Sequence, residues 1–144
     1  MTTYTHPKIN NILLTCWCQK HKIDFCLLFG SSVTGKVHQN SDIDLAIFSA
    51  KNGLLQKKLQ LIGELEDTID ATVDLTILHA DISPLLLHEI MTKGKLLYNS
   101  NPEIYIDKQI YAIKLYDDVP FLKKWQDLTL SMRLKRLKNV ITSD

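Results

Sequence analysis

A chain of 144 residues, 45% hydrophobic and 23% charged, has enough apolar material for a buried core, which excludes the disordered and fibrous classes. Its formal net charge is +1, so no strong field favours direct binding to nucleic acid or to an anionic membrane surface. No apolar run reaches the roughly 20 residues that span a bilayer, and the polar opening MTTYTHPKIN lacks the layout of a secretion signal. A cytoplasmic protein without a membrane partner is expected.

The three cysteines, Cys16, Cys18 and Cys26, fit reduced thiols. Cys16, Cys18 and His21 match no common zinc spacing and lack a fourth ligand.

In chain order, residues 7–22 read as a helix with Pro7 in its first turn. Its apolar positions Ile9, Ile12, Leu13, Cys16 and Trp17 recur at helical spacing. IDFCLLF, 23–29, is a short apolar run that ends at a glycine and reads as a buried strand. After a loop rich in turn formers, DIDLAIF at 42–48 is a second strand. Asn52 and Gly53 mark a turn. An amphipathic helix over 54–68 follows, with Leu54, Leu55, Leu59, Ile62 and Leu65 as its stripe. TVDLTIL, 72–78, is a third strand, and Ser83-Pro84 starts a helix as N-cap and N1, running to about Thr92. Gly94 ends that helix, and residues 95–98 add a short strand. From Pro102 the chain is mostly helical, with a kink or restart expected at Pro120. Basic residues Arg133, Lys135, Arg136 and Lys138 gather in its last turns. The order predicts a small mixed α/β (α+β) domain with a C-terminal helical segment.

The stretch GSSVTGKV, 30–37, fits the P-loop pattern at Gly30, Gly35 and Lys36, yet Val37 stands where a Ser or Thr hydroxyl should ligate Mg²⁺. VHQNSD then reads as loop where a P-loop needs a helix. The residues suit a different phosphate loop. Gly30 permits close backbone approach, and Ser31 opens a short helical turn whose free N–H groups hold phosphate.

Downstream, Asp42 and Asp44 lie two apart on a strand, so they share a face, about 6.6–7 Å apart at the backbone. Ile43, Leu45 and Ile47 face the other way, into a core. Two adjacent carboxylates repel each other, and a hard divalent cation relieves this. Asp74 alternates in the same manner with Val73, Leu75 and Ile77. If the two strands are neighbours, Asp74 joins the pair, and three carboxylates are able to hold two Mg²⁺ ions about 3.5–4 Å apart.

FGSSVTGKVHQNSDIDLAIF resembles the signature of the DNA polymerase β-type nucleotidyltransferase superfamily, Gly-Ser followed after ten residues by Asp-x-Asp. The short chain resembles the minimal nucleotidyltransferases (MNT). VDLTILHADISPLLLHEIMTKGKLLY is similar to their third-acid strand, following helix and closing strand. KLYDDVPFLKKW resembles the C-terminal helix of MNT antitoxins, which are paired with helical HEPN ribonuclease toxins.

The resemblance implies a single nucleotidyltransferase domain over 1–144, with a core of about 1–100 and C-terminal helices over about 102–140. Its small mixed β-sheet would be flanked by helices. It also implies an AMP transferase that uses ATP and two Mg²⁺ ions to modify a hydroxyl of a HEPN toxin, a tyrosine in such modules, and so neutralise it. By position, Gly30 and Ser31 would bind the triphosphate, with Ser32 and Lys36 in the same nucleotide-binding stretch. Asp42 and Asp44 would bind both metals, and Asp74 would complete the metal set and act as base or base-orienter. One departure stands out. Ser32 and Thr34 occupy places where many relatives carry arginine, which removes cationic contacts to the triphosphate, and Lys36 is the available replacement. Two other readings stay open. One is an antitoxin that acts by binding alone, through a helix bearing Phe121, Leu122, Trp125 and Leu128. The other is nucleotidyl transfer to a small molecule.

Overall fold

The computed structural model describes residues 5–30, 42–51 and 53–118. The expected kink at Pro120, the basic last turns and the stripe of Phe121, Leu122, Trp125 and Leu128 lie outside the described residues.

Helix α1 spans Asn11–Lys20, later than the expected start at Pro7. The reason is a cap. The Asn10 side chain accepts hydrogen bonds from the N–H groups of Ile12 and Leu13, at 3.0 and 3.3 Å, which satisfies two otherwise orphan donors. Pro7 sits instead in a preceding turn, where the Lys8 N–H donates to His6 Nδ1 at 3.1 Å. The buried face is Leu14, Trp17 and Cys18. Ile12 and Leu13 from the expected stripe are exposed, by 75% and 49%.

Strands β1 (Phe25–Phe29) and β2 (Ile43–Phe48) follow, then a 3₁₀ turn over Leu55–Lys57 and helix α2 (Lys58–Ile69). The expected stripe on this helix is rotated. Leu61, Leu65 and Ile69 face the core, while Leu59 is 86% exposed. A 3₁₀ turn carries about three residues rather than 3.6, so the residues before Lys58 do not share the α-helical phase. Strand β3 (Val73–Ile77) leads to α3 (Pro84–Lys93), β4 (Lys95–Asn99) and α4 (Pro102–Asp118). Ser83 caps α3 and Pro84 is its first residue, as expected. The Ser83 hydroxyl accepts from the Leu86 N–H, and the Gly94 N–H closes the helix on the Ile90 carbonyl at 2.9 Å.

The four strands form one mixed sheet in the order β3-β2-β1-β4. β1 is antiparallel to both β2 and β4, and β2 is parallel to β3. Helix α2 is the crossover that a parallel pair requires. Alternation along the strands gives the sheet two faces. Cys26, Leu28, Ile43, Leu45, Ile47, Val73, Leu75 and Ile77 pack with α1 and α2. Phe25, Leu27 and Ala46 pack with Leu87, Ile90 and Met91 of α3 and with Tyr105 and Ala112 of α4.

On the first face, α1 and α2 are tied together by Glu64. Its carboxylate accepts from Trp17 Nε1–H at 3.2 Å and from Lys20 Nζ at 3.3 Å, and pairs with the His21 ring at 2.6 Å. These contacts, the one to His21 foremost, hold the Glu64 carboxyl down at about 2, from an ordinary 4.5. His21 thus serves packing between helices, and Cys16 and Cys18 part company, one exposed and the other buried. Among the described residues, no helix is long and apolar enough to cross a membrane.

Candidate active site

The acids sit where two strands begin. In β2 the core-facing residues Ile43, Leu45 and Ile47 are 3% exposed or less. Alternation therefore sends Asp44 to the opposite face, the one covered further along by α3 and α4. Asp42, just before the strand, is two positions from Asp44 and is exposed. In β3, Val73 and Leu75 are buried and Asp74 is exposed.

The parallel register pairs Ile43 with Val73 and Asp44 with Asp74. Asp44 and Asp74 thus lie side by side on one sheet face. The neighbour relation on which Asp74's membership depended is present. Neighbouring strands lie about 4.8 Å apart, so two carboxylate-bearing positions stand next to each other on this face.

On its other side Asp44 faces β1, whose last residue Phe29 is its antiparallel partner. Gly30 comes next, with φ +69°, in the left-handed region that glycine adopts without strain. A Cβ built on Gly30 would stand 2.5 Å from Asp44 Oδ2 and 3.1 Å from its Cγ. The backbone at Gly30 therefore abuts the Asp44 carboxylate directly, and no side chain fits between them. Ser31, Ser32 and Lys36 lie outside the described residues, as does Thr34.

Among the described residues, the candidate donors at this edge are carboxylate oxygens, a chemistry that suits a hard cation such as Mg²⁺ rather than zinc. Among the described residues, no group of three or more His, Cys, Asp or Glu side chains is drawn close enough together to hold a metal ion. Asp44 and Asp74 are paired by register, and Asp42 flanks them from the chain before β2.

One feature of this sheet face was absent from the sequence reading. A cavity of about 480 Å³ lies between the end of β3, the start of α3 and α4, lined by Phe48, Leu78, Leu87, Lys108 and Tyr111 among others. Lys108 Nζ lies 4.6 Å from the centre of the Phe48 ring and 5.7 Å from that of Tyr111. Its components come from three distant segments, and no local motif marks them.

The family model for polymerase beta nucleotidyltransferases matches residues 9–103. The protein adenylyltransferase MntA of Shewanella oneidensis is 32% identical over 93 residues, which cover 65% of this chain and 63% of that protein. The chain thus matches less than two thirds of the length of this relative. A crystal structure of a toxin–antitoxin with AMP-PNP is similar at TM-score 0.69 and 24% identity, covering 87% of this chain and 99% of that one. A structure of the tri-AMPylated Shewanella oneidensis HEPN toxin in complex with its MNT antitoxin is similar at TM-score 0.54 and 23% identity. It covers 92% of this chain and 96% of that one. At these identities the two structures carry the fold, a small mixed sheet flanked by helices.

Proposed function

The chain belongs to the polymerase beta nucleotidyltransferase family, and on that premise we propose that it is an antitoxin that transfers AMP from ATP to a HEPN ribonuclease toxin. The acceptor is a tyrosine hydroxyl, the reaction depends on Mg²⁺, and it takes place in the cytoplasm. The observation that carries the reading is the registered pair Asp44 and Asp74 with the Gly30 backbone against Asp44. The match to a protein adenylyltransferase adds the reaction class, and the likeness to antitoxins in toxin complexes adds the partner.

Asp42, Asp44 and Asp74 would hold Mg²⁺, which supplies charge neutralisation at the phosphates and a more acidic acceptor hydroxyl. The chain's own groups do the rest. Gly30, with Ser31, Ser32 and Lys36, holds the triphosphate through backbone N–H groups, hydroxyls and one ammonium. Asp74, on the far side of β2 from Gly30, accepts or orients the proton of the attacking hydroxyl. A bond forms between that oxygen and the α-phosphorus, the α–β bridging bond breaks, and pyrophosphate leaves on the Gly30 side.

The test is intact-mass spectrometry of a purified HEPN toxin after incubation with the purified chain, ATP and Mg²⁺. The expected result is a gain of whole AMP residues on a tyrosine, lost when Asp44→Asn is used. A toxin silenced with no mass change would replace transfer by binding alone.

A further inference from the structure

The helical layer formed by α3 and α4 does not cover its sheet face evenly. On β2, Ala46 is fully buried beneath it. On the edge strand β3, Asp74 is exposed and Thr76 only partly buried, although both point to the same side. An open strip thus runs along β3 past Asp74 and Thr76, about 7 Å apart at strand rise, toward the 480 Å³ cavity, whose floor begins at the buried Leu78. That volume lies in the range of small-ligand sites, about 300–1,000 Å³.

The lining has a definite chemistry. Leu78 and Leu87 give an apolar floor, the exposed Tyr111 offers a ring face, and Asp81 offers an acceptor. Lys108, with its ammonium near the Phe48 and Tyr111 rings, supplies a positive charge beside them. A ligand that uses all of these is flat, aromatic, able to donate from an amine and anionic next to its ring system. A purine nucleoside monophosphate has that form. Stacking on the Tyr111 ring, phosphate at Lys108 and an exocyclic amine at Asp81 would each be met.

Direction decides which adenylate occupies it. The triphosphate loop begins at Gly30, beyond β2 from Asp74. In-line displacement places the attacking oxygen opposite the leaving pyrophosphate, hence on the β3 side, where the open strip and cavity lie. Resting on the adenylyl-transfer reading above, we propose that this cavity is an acceptor-side subsite for an AMP group already carried by the acceptor, retaining it for a further transfer. The Shewanella toxin, which bears three AMP groups in complex with its antitoxin, is an acceptor of this kind.

Two measurements test it. Free AMP is titrated calorimetrically into the full chain and into Lys108→Ala, Tyr111→Ala and Asp44→Asn. Loss of a stacking or charge partner should weaken AMP about tenfold or more in the first two variants, and Asp44→Asn should bind as the parent does. AMP binding lost in Asp44→Asn and kept in the cavity variants, or absent altogether, overturns the proposal. The second measurement is the product distribution on the toxin by intact mass. The cavity variants should shift the product toward the singly modified species, lowering the ratio of later to first additions. Equal loss of first and later additions would make the cavity a dock for the acceptor polypeptide or for ATP, and an unchanged ratio would remove its role. If no transfer occurs at all, the functional reading fails, and the AMP titration still decides whether the cavity takes AMP.

Discussion

Replacing Gly30 by alanine tests the site through a single methyl group. The new Cβ would meet Asp44 Oδ2 at 2.5 Å, whereas ordinary contact begins near 3.4 Å. The carboxylate must therefore retreat by about 0.9 Å, or the loop must move by as much. A misplacement of about 1 Å in a reacting constellation is able to cost about 100-fold in rate, or about 2.7 kcal/mol of barrier. The substitution also forces an L-residue to hold φ +69°, which costs about 1–2 kcal/mol of stability, equivalent to a fall of about 3–8 °C in Tm for a chain of this size. Gly53→Ala is the matched control. Gly53 has φ +105° and nothing within 4 Å of its built Cβ, so it carries a backbone cost of about 1–3 kcal/mol and no clash. Thermal melts and toxin-modification rates should be measured on both variants. Both should melt earlier, and only Gly30→Ala should lose transfer by about two orders of magnitude. A Gly30→Ala protein that transfers AMP within a fewfold of the parent rate would refute the placement of Asp44 against the phosphate loop.

Other perturbations bear on different parts of the molecule. Asp42→Asn with Asp44→Asn should lower Mg²⁺-dependent transfer by about 10³-fold or more, since electrostatic groups at a phosphoryl centre supply most of the catalysis. Circular dichroism should be unchanged, and surviving activity would rule out these acids as metal ligands. Glu64 has its carboxyl lowered to about 2 from 4.5, so its contribution to stability is whole above about pH 4.5 and is lost as pH falls toward 2. Its side chain is 27% exposed, which limits that contribution to about 1 kcal/mol. Urea melts at pH 2.5 and pH 6 should differ less in Glu64→Gln than in the parent, and an unchanged difference would assign the acid sensitivity elsewhere. Leu65→Ala, at a fully buried position between α2 and the sheet, should cost about 2–5 kcal/mol in a denaturant melt. A cost below 1 kcal/mol would mean that α2 does not hold the sheet as described.

Local chemistry was readable where it depends on neighbours in sequence. The alternation of Ile43, Leu45 and Ile47 against Asp44 fixed which side of β2 carries the acid, and Val73 and Leu75 did so for Asp74. Ser83, Pro84 and Gly94 marked both ends of α3, because caps and glycine stops act through backbone groups a few residues away. Helix phase was less legible. The faces of α1 and α2 were displaced by the Asn10 cap and by the 3₁₀ turn at Leu55–Lys57, and neither feature alters the count of apolar residues in the window.

The sequence by itself determined which residue types sit on which side of each strand. Only the tertiary structure decided that β2 and β3 are parallel neighbours, so that Asp44 faces Asp74. It also decided that Glu64 joins Trp17 and His21, and that Lys108 of α4 lies over Phe48 of β2. Those pairings join residues tens of positions apart. They are set by sheet order and by the way helices cover a twisted surface, quantities that no short stretch of chain contains.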